Sequence, residues 1–175
     1  KAEEEVNYNI VARGFPASDL PSEFNGVTIE KKFYDLNGKL FDIENLPLKQ
    51  GEVLFAHIYG EVSDYTSQSS DRRMLIVDLL PAGFEIESIS VGKGVSKEEF
   101  SNLPKLSKSL HVSNNDDRFI SFIRFEKSRF SQGYIVRAVT PGFFSVPPAY
   151  IEDMYQPSFF ARGEVIETNV VKTQN

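Results

Sequence analysis

Hydrophobic and polar positions alternate with a period of two along most of this chain, the spacing of strands with one buried face. Val6 to Phe15 alternates loosely and stops at Pro16, which predicts a first strand. Ala17 to Gly26 reads as a loop with Pro21 and an Asn25-Gly26 turn signal. In Val27 to Tyr34, Val27, Ile29, Lys31 and Phe33 share one face, and Thr28, Glu30, Lys32 and Tyr34 share the other. Asn37-Gly38 is a strong hairpin signal, with Lys39 to Ile43 as the returning strand. Pro47 and Gly51 bracket a turn, and Gly51 to Val62 predicts a long strand. Val53, Phe55, His57 and Tyr59 would line one of its faces, and Leu54, Ala56, Ile58 and Val62 the other.

Ser63 to Asp71 is a polar, serine-rich loop tip. Arg72 to Leu80 is apolar on both faces, as a central strand would be, and Pro81-Ala82-Gly83 turns it into a strand over Phe84 to Val91. Gly92 to Asp117 carries the weakest strand pattern; Ser96 and Glu99 fit a capping box, which predicts a short helical turn near Lys97 to Leu103. Arg118 to Lys127 returns to strand, and a Ser131 to Gly133 turn should make a hairpin with Tyr134 to Thr140. Pro141-Gly142 forms a corner before a second short strand. Pro147-Pro148 stops that strand, and Ala149 to Tyr155 should leave as an ordered excursion. Phe159 to Val171 closes the chain.

Eight to nine short strands separated by turn chemistry predict an all-β fold, an antiparallel β-sandwich with Greek-key connections and one or two short helical turns. Residues 1–5 read as a linker or a remnant outside the domain, and residues 6–175 as one domain. A chain of 175 residues fits one domain. Its 15 Phe and 7 Tyr strengthen the β assignment, because aromatic side chains suit pleated, half-buried surfaces.

Charge and cysteine content narrow the function. A net charge of −6, with basic pairs only at Lys31-Lys32 and Arg72-Arg73, lacks the cationic face that releases phosphate counterions, so nucleic acid is not an expected partner. No cysteine is present, which removes thiol nucleophiles, thiolate zinc sites and disulfides. No apolar run approaches the ~20 residues of a membrane helix, so direct membrane insertion by this segment is not expected.

Candidate chemistry is sparse. His57 sits mid-strand between Phe55 and Tyr59, where a packed histidine is a better reading than a general base; His111 falls in a loop-like region with no second histidine near it. Asn114-Asn115-Asp116-Asp117 is rich in oxygen ligands, yet it lacks the alternating ligands and distal Glu of a calcium loop and reads as a turn. Glu98-Glu99 and Glu152-Asp153 are adjacent, so on a strand each pair would point to opposite faces and could not act as an acid/base pair. Neither a nucleophile elbow nor a phosphate or dinucleotide glycine loop occurs. Neither an enzyme activity nor a cofactor or metal is expected.

One stretch is more specific. Tyr134-Ile-Val-Arg-Ala-Val-Thr-Pro-Gly142, then Phe144, Val146-Pro147-Pro148-Ala149-Tyr150 and Glu152-Asp153-Met154-Tyr155, resembles the C-terminal macroglobulin domain of bacterial alpha-2-macroglobulins, which is receptor-binding-domain-like. Leu80-Pro81-Ala82-Gly83-Phe84-Glu85-Ile86-Glu87 resembles that domain's turn, Asp116-Asp117-Arg118-Phe119 its strand start, and Arg162-Gly163 its last strand. The resemblance implies a macroglobulin-like β-sandwich from a large envelope protein that traps proteases through bait cleavage and a thioester. The thioester needs a C-x-E-Q motif, which this Cys-free chain cannot supply. As the last domain it would pack against the thioester domain and help shield the bond. The partners implied are the parent's other domains and the trapped proteases. The location implied is the periplasm or cell envelope, with the parent an inner-membrane lipoprotein. Tyr150, Glu152, Asp153, Met154 and Tyr155 are then the expected inter-domain contact residues. The other function considered is a stand-alone adhesion or carbohydrate-binding sandwich.

Overall fold

The computed structural model describes residues 8–14, 18–64, 71–88 and 102–173. Among them every regular element is a strand. In chain order these are β1 (Glu23–Asn25), β2 (Glu30–Tyr34), β3 (Leu40–Phe41), β4 (Leu48–Lys49), β5 (Val53–Glu61), β6 (Arg73–Leu79) and β7 (Phe84–Ser88). They continue as β8 (Ser109–Asn115), β9 (Arg118–Arg124), β10 (Arg129–Ala138), β11 (Gly142–Val146), β12 (Ala149–Asp153), β13 (Phe160–Arg162) and β14 (Ile166–Val171). A six-stranded sheet has the order β1-β13-β12-β6-β9-β8, and a five-stranded sheet the order β3-β2-β5-β10-β7. A small third sheet, β11-β14-β4, contains the one parallel pairing among these strands, β14 with β4.

The fold is a β-sandwich, because the two large sheets bury their facing sides against each other. Leu54, Ala56 and Ile58 of β5 and Val136 of β10 come from one side; Met74 and Ile76 of β6, Phe119 and Ile123 of β9, and Ile151 of β12 come from the other. Each of these side chains other than Ala56 contributes about 1.5–3 kcal/mol on leaving water. The chain passes between the sheets repeatedly: β5 and β7 lie in one with β6 between them in sequence but in the other.

Polar groups also cross this core. Tyr134 stacks on Phe119 at 4.7 Å and donates its hydroxyl to Asp78 Oδ2 at 2.8 Å. Lys31 Nζ reaches Asp78 Oδ1 at 2.7 Å and the Pro147 carbonyl at 2.6 Å. Beside them Ser121 Oγ donates to Gln132 Oε1 at 2.9 Å. Asp78 is fully buried, so these partners offset the loss of its contact with water; removing one member of a buried pair costs about 3–5 kcal/mol. The ties join β2, β6 and β10 and fix how the sheets face each other. Lys31 on an otherwise apolar face was the visible sign of this cluster.

Several expectations need correction. Tyr8 to Gly14 form no strand, and Phe159 to Val171 is two strands, β13 and β14, in different sheets. Ser131 to Gly133 do not turn. They run through the middle of β10, and no hairpin joins it to β9: over residues 125–128 the chain crosses from the six-stranded to the five-stranded sheet. Gly133 is needed for space: a Cβ there would come within 2.4 Å of the Phe55 ring and 2.7 Å of the Ala56 carbonyl. His111 lies on the edge strand β8, not in a loop. The helical turn falls mainly on residues 97–101, and Glu98-Glu99 wholly, outside the described residues.

The two proline corners move the chain between sheets. Pro141 starts the passage from β10 to β11, and Gly142 follows at φ 151°. Phe144 then lies edge-on to Phe84 at 6.3 Å, over Gly83, where a Cβ would stand 2.4 Å from its ring. This packs the Pro81-Ala82-Gly83 turn beneath the corner. Pro147-Pro148 ends pairing with β14 and delivers the chain to the six-stranded sheet.

Candidate inter-domain surface

Residues 149–155 do not leave the sandwich directly. Ala149 to Asp153 form β12, an interior strand paired with β6 (Tyr150 opposite Val77, Glu152 opposite Leu75) and with β13 (Tyr150 opposite Arg162, Glu152 opposite Phe160). Proline cannot donate to a ladder, but both prolines precede the first paired residue, so pairing resumes at Ala149. The period-two alternation then sorts the five predicted contact residues into different environments.

Asp153 points inward and is 4% exposed. It receives the Arg72 guanidinium at 2.7 Å and the backbone N–H groups of Tyr155 and Gln156 at 2.8 and 3.0 Å. Burial pushes its carboxyl up, but these donors outweigh burial and hold it below the usual carboxylate value. Arg72 is itself seated over the Phe159 ring at 4.1 Å. Asp153 is thus the knot of a turn, with its carboxylate turned inside the domain. Its work is to aim the next two side chains outward: Met154 is 46% and Tyr155 74% exposed.

Tyr150 and Glu152 point to the outer face of the six-stranded sheet, where the Tyr150 hydroxyl donates to Glu152 at 3.0 Å. Burial, then the Glu152 carboxylate, raises the Tyr150 phenol. Their neighbours across the register are Phe160 and Arg162 on β13, Leu75 and Val77 on β6, and Ile120 and Phe122 on β9. All of these are only partly buried. The result is a largely apolar sheet face, with Glu152 and Arg162 set in it, that no other strand of the described residues packs over, and Met154 and Tyr155 stand at one end. The sequence reading found its border at β12 but missed Leu75, Val77, Ile120, Phe122 and Phe160. The signal was present, since Arg72 to Leu80 is apolar on both faces and only one face can line the core.

The remaining candidates make contacts within the fold. His57 Nε2 lies 2.7 Å from Ser131 Oγ, and its ring stacks on Tyr59 at 4.8 Å. Asn114 and Asn115 end β8, and Asp117 in the following turn pairs with Arg118. Among the described residues no three His, Asp or Glu side chains gather to hold a metal.

Fold and surface together define a class: an all-β sandwich module with one open, largely apolar sheet face. Comparison with known proteins makes the assignment specific. Residues 26–158 match the bacterial alpha-2-macroglobulin MG10 domain. The chain is 30% identical over 172 residues to an alpha-2-macroglobulin of Xylella fastidiosa, covering 92% of this chain and 10% of that protein. It superimposes on the native conformation of Escherichia coli alpha-2-macroglobulin with a TM-score of 0.72 and 28% identity, over 90% of this chain and 10% of that one. A Salmonella alpha-2-macroglobulin reacted with methylamine gives 0.71 and 26%, over 90% and 10%. The chain belongs to the bacterial alpha-2-macroglobulin MG10 domain family, and its sandwich is macroglobulin-like. It spans about a tenth of the length of the curated relatives it matches.

Proposed function

We propose that this chain is a packing and shielding domain of a bacterial protease-trapping alpha-2-macroglobulin in the cell envelope, anchored at the inner membrane as a lipoprotein. It contributes no reacting group. It docks on other domains of the parent, above all the thioester domain, and excludes water from the thioester until a protease cleaves the parent. The observation that carries this reading is the uncovered apolar face of the six-stranded sheet, bordered by exposed Met154 and Tyr155. A face of this kind marks a contact surface. Met154 and Tyr155 combine an adaptable thioether with an amphipathic ring, which suits them to cover a buried bond. The reaction of the Salmonella relative with methylamine supports a nucleophile-sensitive group in such proteins.

The test is Met154→Ala with Tyr155→Ala in the whole protein. Methylamine should consume the thioester faster in the double variant, while this domain keeps its unfolding temperature. An unchanged rate would remove these two residues from the shield.

A further inference from the structure

A cleft of about 630 Å³ lies between β2 and β3 of the five-stranded sheet and β1 and β13 of the six-stranded sheet. That volume is within the roughly 300–1,000 Å³ of sites that hold ligands. Its floor is apolar, made by Ile29, Phe33, Ile43, Ala149 and Ala161, all of them buried. Phe24 of β1 also lines it. Phe24 stands opposite Ala161 in the register, so it faces the core side of its sheet, and yet it is 66% exposed.

The β2 wall of this cleft has free backbone groups. The Thr28 N–H donates to the Glu61 carbonyl at 2.8 Å, and the same alternation continues along the ladder. Glu30, Lys32 and Tyr34 therefore turn their N–H and C=O groups toward β5, and Ile29, Lys31 and Phe33 turn theirs away. On that far side β3 meets only Phe33 and Tyr34. Asp42 then turns the chain off the edge, its carboxylate accepting from the Asn45 N–H at 3.2 Å and side-chain amide at 2.9 Å. Opposite Ile29 and Lys31 no backbone group of the described residues pairs with the edge. Charged side chains commonly block such edges. Lys31 does not, because its side chain runs inward to Asp78. An open edge beside an apolar cleft is where an extended peptide adds as a further strand.

Charge selects the peptide. The cations around the cleft are engaged: Lys31 with Asp78, Arg162 with Glu23, and Lys32 with Glu30 at 3.5 Å. Asp42, Glu44 and Glu164 are exposed at its rim and have no ion-pair partner among the described residues. We infer that the cleft binds an extended segment of alternating apolar and basic residues, added antiparallel to β2 in the place that β3 vacates at Asp42. Its apolar residues sit opposite Ile29 and Lys31, share backbone hydrogen bonds with them and point into the cleft beside Phe24. Its Lys or Arg groups meet Asp42, Glu44 and Glu164. This site is separate from the outer face of the six-stranded sheet and stands whether or not that face docks on another domain.

The probe is a synthetic peptide, Arg-Val-Lys-Val-Arg blocked at both ends, titrated into the isotope-labelled 175-residue chain. It should shift the amide signals of Ile29 and Lys31. A Glu-Val-Glu-Val-Glu peptide should bind at least roughly tenfold more weakly, because it meets the acidic rim with like charge. Methylating both valine nitrogens, which face β2, should weaken binding at least roughly tenfold, whereas methylating the lysine nitrogen, which faces away, should be tolerated. Glu44→Lys with Glu164→Lys should weaken the basic peptide and leave the unfolding temperature unchanged, since both side chains are exposed. No binding of the basic peptide at millimolar concentration overturns the inference. So do equal binding of the acidic peptide, equal loss from either methylation, or shifts confined to the β1 or β8 edge. Self-association through Ile29 and Lys31 that the peptide does not displace also overturns it, since a second copy would then be the occupant.

Discussion

The two large sheets share one core but treat their outer faces differently. On the five-stranded sheet the outward side chains of β5 are Val53, Phe55, His57 and Tyr59, and the chain covers this face itself. Leu103 and Leu106 lie over it, and with Phe55 and Ile135 they make a second, smaller apolar cluster. Ser107 fastens the cover: its N–H donates to the Ser131 carbonyl at 2.7 Å, and its Oγ accepts from the Ser131 N–H at 3.0 Å. On the six-stranded sheet the equivalent positions, Leu75, Val77, Ile120, Phe122, Tyr150 and Phe160, have no such cover among the described residues. Apolar outer faces alone therefore do not mark a contact surface. The difference lies in whether the chain has spent a segment to cover them.

Truncation should separate the two faces most clearly. Phe55 is fully buried under Leu103, so Phe55→Ala should cost about 3–5 kcal/mol in chemical unfolding of the 175-residue chain. Leu75→Ala, on the half-open face, should cost less, roughly 1–2 kcal/mol there, because part of its surface stays in water on folding. In the intact polypeptide Leu75→Ala should become more costly, since a docked partner completes its burial. Equal costs for Leu75→Ala in both settings would mean that nothing docks on it.

Gly133→Ala probes how tightly the covered face is built. The added methyl would meet the Phe55 ring at 2.4 Å and the Ala56 carbonyl at 2.7 Å, and that carbonyl belongs to a paired strand and cannot withdraw. Overpacking of this kind should cost about 1–3 kcal/mol, read as a lowered denaturation midpoint at unchanged slope. A neutral result would mean that Phe55 can swing aside, and that the cover is looser than its contacts indicate.

Gly133 also shows where sequence reasoning stops. Ser-Gln-Gly is turn chemistry locally, and only the Phe55 ring on the neighbouring strand reveals why glycine is required inside β10. The β class, the Asn37-Gly38 hairpin, the Pro141-Gly142 corner and β5, β6, β7 and β9 were legible, because period and turn residues are local properties. The pairing of β12 was not. Two prolines imply a break, but not that the next residue re-enters a different sheet. The same limit held for the open face of the six-stranded sheet. Met154 and Tyr155 could be singled out from their surroundings in sequence, whereas Leu75, Phe122 and Phe160 meet only through the register of strands distant in the chain. The inward position of Asp153 was hidden as well, because its three donors come from Arg72 and from the turn it closes.

The smallest expected effect is a pH dependence confined to the covered face. Burial, with a further contribution from Lys32, lowers the His57 imidazole from its usual 6.5 to about 4. Its Nδ1 has no hydrogen-bond partner among the described residues, and Nε2 has only Ser131 Oγ, so no carboxylate rewards a charged ring. Between about pH 6.5 and pH 4 the unfolded chain binds a proton that the folded chain refuses. The contribution is therefore complete above the unfolded value, falls as pH drops through that window, and levels off below it. Solvent reaching the ring edge screens the cost, and about 1 kcal/mol corresponds to roughly 2–4 °C for a domain of this size. Thermal unfolding of the 175-residue chain at pH 7 and pH 4.5 should show that much extra loss relative to His57→Gln. Parallel losses in the two proteins would mean that the ring accepts a proton while buried, and that the cover over β5 opens enough to let water solvate it.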